Sequence, residues 1–191
     1  VRRLPKGSTL LADRYELDLP LGCSTLATPP EHATTRTSSM TKVQNLIEQL
    51  QLSQHPEGGW YRELHRSPDQ VRRQDGAERS ALTAILFLLP ARAVSCWHRV
   101  IGADEAWTHI DGAALELFQC QADGSELRRD QLDATHPMQV VPASAWQAAR
   151  SLGEYSLVSC CVGPGFDFLD FEMARQRPAP YRQTLPHPEL I

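Results

Sequence analysis

From Gly59 onward the chain is a succession of short runs rich in branched and aromatic residues. They read WYRELHR, SALTAILFLL, SCWHRV, EAWTHI, ALELFQC, ELRRDQL, MQVVP, AWQAAR and YSLVSCCV, and Gly, Pro or Asp signals such as QADGS separate most of them. Runs of this length and composition suit strands. Eight or nine of them predict an all-β sandwich or small barrel and argue against alternating strands and helices. One helix leads. In TKVQNLIEQLQL, Val43, Leu46, Ile47 and Leu50 recur at helical spacing, so one face packs on a core. HPEGG, with a proline and two glycines, breaks that helix.

A chain of 191 residues can bury a sizeable core. The formal charge of -4 predicts no electrostatic capture of nucleic acid or membrane. No apolar run approaches the roughly 20 residues of a membrane span, and the opening VRRLPKGSTLLADRYELDLP, interrupted by acids and prolines, does not fit a secretory signal. Residues 1–39, rich in Ser, Thr and Pro, are expected to form a flexible extension. An ordered arm that adds a strand to a partner's sheet is the alternative. The folded domain is expected over 40–176, with a C-terminal tail at 177–191. The five cysteines form no CxxC pair, and their odd number argues against a complete disulfide framework. They are expected to be reduced, in a cytoplasmic protein.

Alternation along a strand places Cys96, His98 and Val100 on one face of SCWHRV, and Glu105, Trp107 and His109 on one face of EAWTHI. If the two runs pair through the IGAD turn, His98 and Glu105 converge. The run VVPASAWQAA can bring Gln147 to the same place, with Trp146 on the opposite face.

These residues resemble the two signatures of the cupin superfamily. The first is HxH, three or four residues, E, six residues, G; His98, Glu105 and Gly112 fit it, and Val100 replaces the second histidine. The second has the core PxGxxH, here Pro142 to Gln147, with Ser144 for Gly and Gln147 for His. With HPEGGWYRELHRS, RSALTAILFLLP and SLVSCCVGPGFDFLDFEMA added, the chain from about Thr41 to Ala174 is similar to the family called "cupin five". The resemblance implies an RmlC-like double-stranded β-helix, a jelly-roll barrel with a leading N-terminal helix, and a homodimer. It also implies a metal position held in catalytic cupins by three histidines and a carboxylate. Here Val100 offers no donor and Gln147 only a neutral amide oxygen. His109 lies about 13 Å beyond Glu105 at the usual strand rise, too far to share one coordination sphere. The expectation is no cofactor, with weak divalent-metal binding at most.

Three functional readings stay open. The first is binding of a small polar metabolite by His98, Glu105, Trp107, His109 and Gln147. The second is a metal-independent isomerase or epimerase in which His98 is the acid/base and Glu105 orients it. The third is a weak metalloenzyme using His98, Glu105 and Gln147. Against all three stands a purely structural role, a buried His98–Glu105 bridge tying two strands. Phe166, Phe168 and Phe171 are expected to seal the barrel, and the charges of RELHR to face solvent. PEGGW lacks a full phosphate-loop pattern, and no GxSxG elbow is present.

Overall fold

The computed structural model describes residues 41–191, so the expectation for residues 1–39 lies outside the described residues. Helix α1 (Lys42–Gln49) opens the described chain, and Thr41 caps it. Thr41 Oγ1 accepts the Gln44 N–H while the Gln44 side chain accepts the Thr41 N–H, satisfying two backbone donors at the helix start. The face carrying Val43, Leu46, Ile47 and Leu50 packs on Leu88, Tyr155 and Leu157, as the helical spacing predicts.

Thirteen strands follow: β1 (Ser53–Gln54), β2 (Trp60–Arg66), β3 (Gln70–Arg72), β4 (Glu78–Ser80), β5 (Thr83–Pro90), β6 (Val94–Val100), β7 (Asp104–Gly112), β8 (Leu115–Cys120), β9 (Arg128–Leu132), β10 (Met138–Val141), β11 (Trp146–Ser151), β12 (Tyr155–Gly163) and β13 (Phe171–Met173). All nine runs read from the sequence are present. The four strands not anticipated, β1, β3, β4 and β13, span only two or three residues, too few to show a period.

The strands form a six-stranded sheet, β1-β2-β5-β12-β7-β10, a five-stranded sheet, β13-β6-β11-β8-β9, and the separate hairpin β3-β4. No ladder joins the two large sheets among the described residues, so this is a jelly roll rather than a closed barrel. One expectation is corrected here. Strands β6 and β7 do not pair; each belongs to a different sheet, and residues 101–103 carry the chain from one to the other. Residues on the inner faces of β6 and β7 therefore meet across the interior.

The core between the sheets holds Phe87, Leu89, Trp107, Leu115, Leu117, Val158 and Cys160. Outside the five-stranded sheet, Trp97, Phe118 and Trp146 are covered by Leu185 and Leu190 of the C-terminal segment, which includes the short helix α2 (Ala179–Arg182). Trp97 Nε1 donates to the Pro186 carbonyl at 2.8 Å, and Trp146 Nε1 to the Tyr181 hydroxyl at 2.9 Å. Among the described residues no helix is long and apolar enough to cross a membrane.

Candidate functional site

His98 owes its position to an irregularity in β6. His98 pairs with Gln147 and Ser95 with Ala149, so β6 spends three residue steps where β11 spends two. Such a bulge resets the alternation of side chains. Ser95 and His98 therefore share the interior face, correcting the expected grouping of Cys96 with His98. The bulge also aims the Cys96 carbonyl at the imidazole, and His98 Nδ1 donates to it at 2.8 Å.

The partner of the other ring nitrogen is not Glu105. It is Glu57, from the HPEGG segment that reads in the sequence only as a helix breaker. That segment lies along β6, where the Cys96 N–H donates to the Glu57 carbonyl at 2.9 Å. Glu57 Oε2 sits 3.2 Å from His98 Nε2 and 3.3 Å from His55 Nδ1, and Ser95 Oγ donates to Oε1 at 2.8 Å. Glu57 and His98 are 5% and 1% exposed. Burial alone would raise the Glu57 pKa, but the neighbouring His98 and His55, with hydrogen bonds from His55 and Ser95, reverse the shift and hold it at about 2. Oxygen atoms thus face both His98 ring nitrogens.

Glu105 faces the same interior from the opposite sheet. Gln147 connects the sheets: its Nε2 donates to Glu105 Oε2 at 2.6 Å, and its Oε1 accepts Trp107 Nε1 at 2.8 Å. Burial pushes the Glu105 carboxyl up; His98 opposes the shift and the charge of Glu57 reinforces it. Burial and the adjacent Glu105 raise the Cys160 thiol well above its usual range. Burial also raises Cys96, which removes the case for an activated thiol there.

Aromatic rings close the group. The His55 ring lies 4.7 Å from Tyr61, 6.1 Å from Phe87, 5.8 Å from Phe171 and 6.4 Å from Phe168, centroid to centroid. Phe171 is also 5.5 Å from the His98 ring. The three phenylalanines expected to seal one end, Phe166, Phe168 and Phe171, form a mutually packed cluster.

Of the residues singled out from the sequence, His98, Glu105, Gln147 and Trp107 come together. His109 does not join them. Its Nε2 contacts the Ala113 carbonyl at 3.1 Å, toward the far end of β7. Val100, at the position of the missing histidine, packs with Ala103, Val162 and Phe166. His55 and Glu57 were missed because a Pro-Gly-Gly break was read as punctuation. The available signal is a histidine and a glutamate two residues apart, separated from a strand by two glycines.

Two facing antiparallel sheets with a His–Glu cluster between them, reached from the strands on either side of a short crossover, define a cupin. The family model described as "Cupin superfamily (DUF985)" matches residues 44–174, and the chain belongs to that family. Two solved structures are similar at 33% identity and a TM-score of 0.67. One is a hypothetical protein from Leishmania major, covering 77% of this chain and 94% of its own. The other is a structural-genomics protein from Shewanella oneidensis, covering 79% and 97%. CapF, solved with the inhibitor 3-isopropenyl-tropolone, shares the fold at 13% identity and a TM-score of 0.50, over 64% of this chain and 33% of its own. A search of curated proteins finds no match.

Proposed function

We propose that this cupin binds a small polar metabolite between its sheets, with His55, His98, Glu105 and Gln147 as the polar contacts and Trp107 as an apolar wall. The observation that carries this reading is the burial of two carboxylates around one imidazole. Buried ionisable groups with strongly perturbed pKa values cost stability and concentrate at functional sites. Thermal-shift screening of uncharged and charged metabolites tests it. A ligand that stabilises the wild type should lose its effect in Trp107→Ala and Glu105→Gln. It should keep its effect in Trp146→Ala, whose ring lies outside the five-stranded sheet. If no metabolite shifts the wild type, the cluster is structural and the binding reading is abandoned.

A second reading is favoured by the opposite directions of the two carboxylate shifts, the pattern by which enzymes divide acid from base roles. In it His98 transfers a proton as in an isomerase or epimerase, Glu57 orients the ring, and Glu105 is the acid facing it. Exchange of solvent deuterium into a bound carbonyl compound, abolished in His98→Asn, is the expected result. Its persistence in that variant would remove His98 from the role.

Neither reading needs a tightly held metal. The cluster offers two histidines, His55 and His98, rather than three, Val100 brings no donor, and the Gln147 oxygen already accepts a hydrogen bond from Trp107. This donor set does not fit the three-histidine, one-carboxylate centre. Stoichiometric transition metal that disappears in His98→Ala would overturn that conclusion. A homodimer is supported by β10, a sheet edge whose Met138 and Val140 are exposed; sedimentation as a monomer at all concentrations would refute it. The four free cysteines among the described residues support a cytoplasmic location, which cell fractionation checks.

A further inference from the structure

The segment that seats Phe168 and Phe171 on His55 is fastened by a buried carboxylate outside the site. Asp170 accepts two hydrogen bonds from Arg79, at 2.7 and 2.9 Å, and another from Arg73 Nη1 at 2.9 Å. Both arginines belong to the β3-β4 hairpin region, which joins neither large sheet. Arg73 Nη1 also donates to the Ile101 carbonyl at 2.8 Å, in the crossover between the strands carrying His98 and Glu105. Three separate pieces of chain thus meet at one carboxylate: the β3-β4 hairpin region, the crossover and the aromatic segment.

The rest of the aromatic segment is held lightly. Its other ties are Gly165 N–H to the Ser80 carbonyl, Phe166 N–H to Thr83 Oγ1 at 2.9 Å, Arg66 to the Phe166 carbonyl at 2.9 Å, and, at its end, the Ile101 N–H to the Asp170 carbonyl at 2.9 Å. Between Phe166 and Asp170, Phe168 is 49% exposed and Leu169 76% exposed, so little apolar area holds this turn down. Yet Phe168 lies nearly parallel to His55, at 23°, and Phe171 covers both His55 and His98.

We propose that the turn from Phe166 to Asp170 is a lid over His55, and that Arg73 and Arg79 latch it shut through Asp170. Charge-assisted bonds to a buried carboxylate are the strongest ties the segment has. Removing the charge weakens both arginine ties to the lid, while Arg73 keeps Asp75 and the Ile101 carbonyl and Arg79 keeps the Glu78 carbonyl. Opening the lid lifts Phe168 from His55 while both sheets, Phe171 of β13 included, and the outer tryptophan cluster stay intact.

The proposal rests on the proposed site only in taking His55 as its floor. Its test needs no ligand. The full chain is treated with diethyl pyrocarbonate, and modification of each histidine is followed by peptide mass spectrometry. In the wild type His55 and His98, with side chains 7% and 2% exposed, should react much more slowly than His136, whose side chain is 79% exposed. In Asp170→Asn the His55 rate relative to His136 should rise at least about tenfold, whereas His98 stays under Phe171. Iodoacetamide labelling of Cys120, buried under the C-terminal segment, should stay unchanged. Arg79→Gln should reproduce the effect and serves if Asp170→Asn does not fold. An unchanged His55 rate would overturn the latch. So would a rise matched by Cys120, which reports loosening of the whole molecule. A latch that opens while no metabolite binds would sink the binding reading alone.

Discussion

Glu57→Ala lowers the unfolding free energy by about 3–5 kcal/mol at neutral pH, the cost of stripping one partner from a buried charged network. The alanine leaves His98 Nε2, His55 Nδ1 and Ser95 Oγ without their shared carboxylate. Glu57→Gln keeps the shape and separates charge from packing. Because the Glu57 pKa is depressed from 4.5 to about 2, its ionised form stabilises the fold above the unfolded value. That contribution, of order 3 kcal/mol, is lost as pH falls from about 4.5 toward 2. Glu105 has the opposite sign. Its pKa is raised, so the penalty for ionising it applies at higher pH and is relieved on acidification. Urea midpoints measured between pH 7 and pH 3 should fall steeply in the wild type. They should fall less in Glu57→Gln and more in Glu105→Gln. A Glu57→Gln protein as acid-sensitive as the wild type would show that Glu57 is not the ionised member of the pair.

The legibility of this chain divides along physical lines. Strands β2, β5 to β8 and β10 to β12 carry enough branched and aromatic residues to be read from composition alone, and α1 from its period. The pairing of β6 with β7 failed because a short turn suggests a hairpin, whereas residues 101–103 cross between sheets. Proximity of His98 and Glu105 nevertheless survived, since inner faces of opposed sheets meet as surely as neighbours in one sheet. The face of Cys96 was misassigned because a bulge has no signal in a run such as SCWHRV. The larger omission was Glu57. Its role depends on a loop laid against a strand some forty positions later in the chain, a contact that no local pattern encodes.

That loop is also where a single added methyl group should do the most damage. Gly58 has φ +111°, a region that side-chain-bearing residues rarely occupy, and a Cβ built there would lie 2.1 Å from the Val94 carbonyl oxygen. The obstacle is backbone at the start of β6, so no change of rotamer relieves it. In Gly58→Ala the loop must withdraw, carrying Glu57 away from Ser95 and His98. The expected loss combines about 1–3 kcal/mol of backbone strain with much of the cost of removing Glu57. Gly76 supplies the control. It also has positive φ, at +86°, but the nearest atom to its Cβ is an Arg72 side-chain nitrogen 4.0 Å away. Gly76→Ala should therefore show the strain alone, about 1 kcal/mol. Denaturation of the two variants separates the contributions. If Gly58→Ala costs no more than Gly76→Ala, the loop tolerates displacement, and the placement of Glu57 does not depend on that close approach. If the difference is several kcal/mol and vanishes in a Glu57→Gln background, Gly58 is there to let the carboxylate reach the imidazoles.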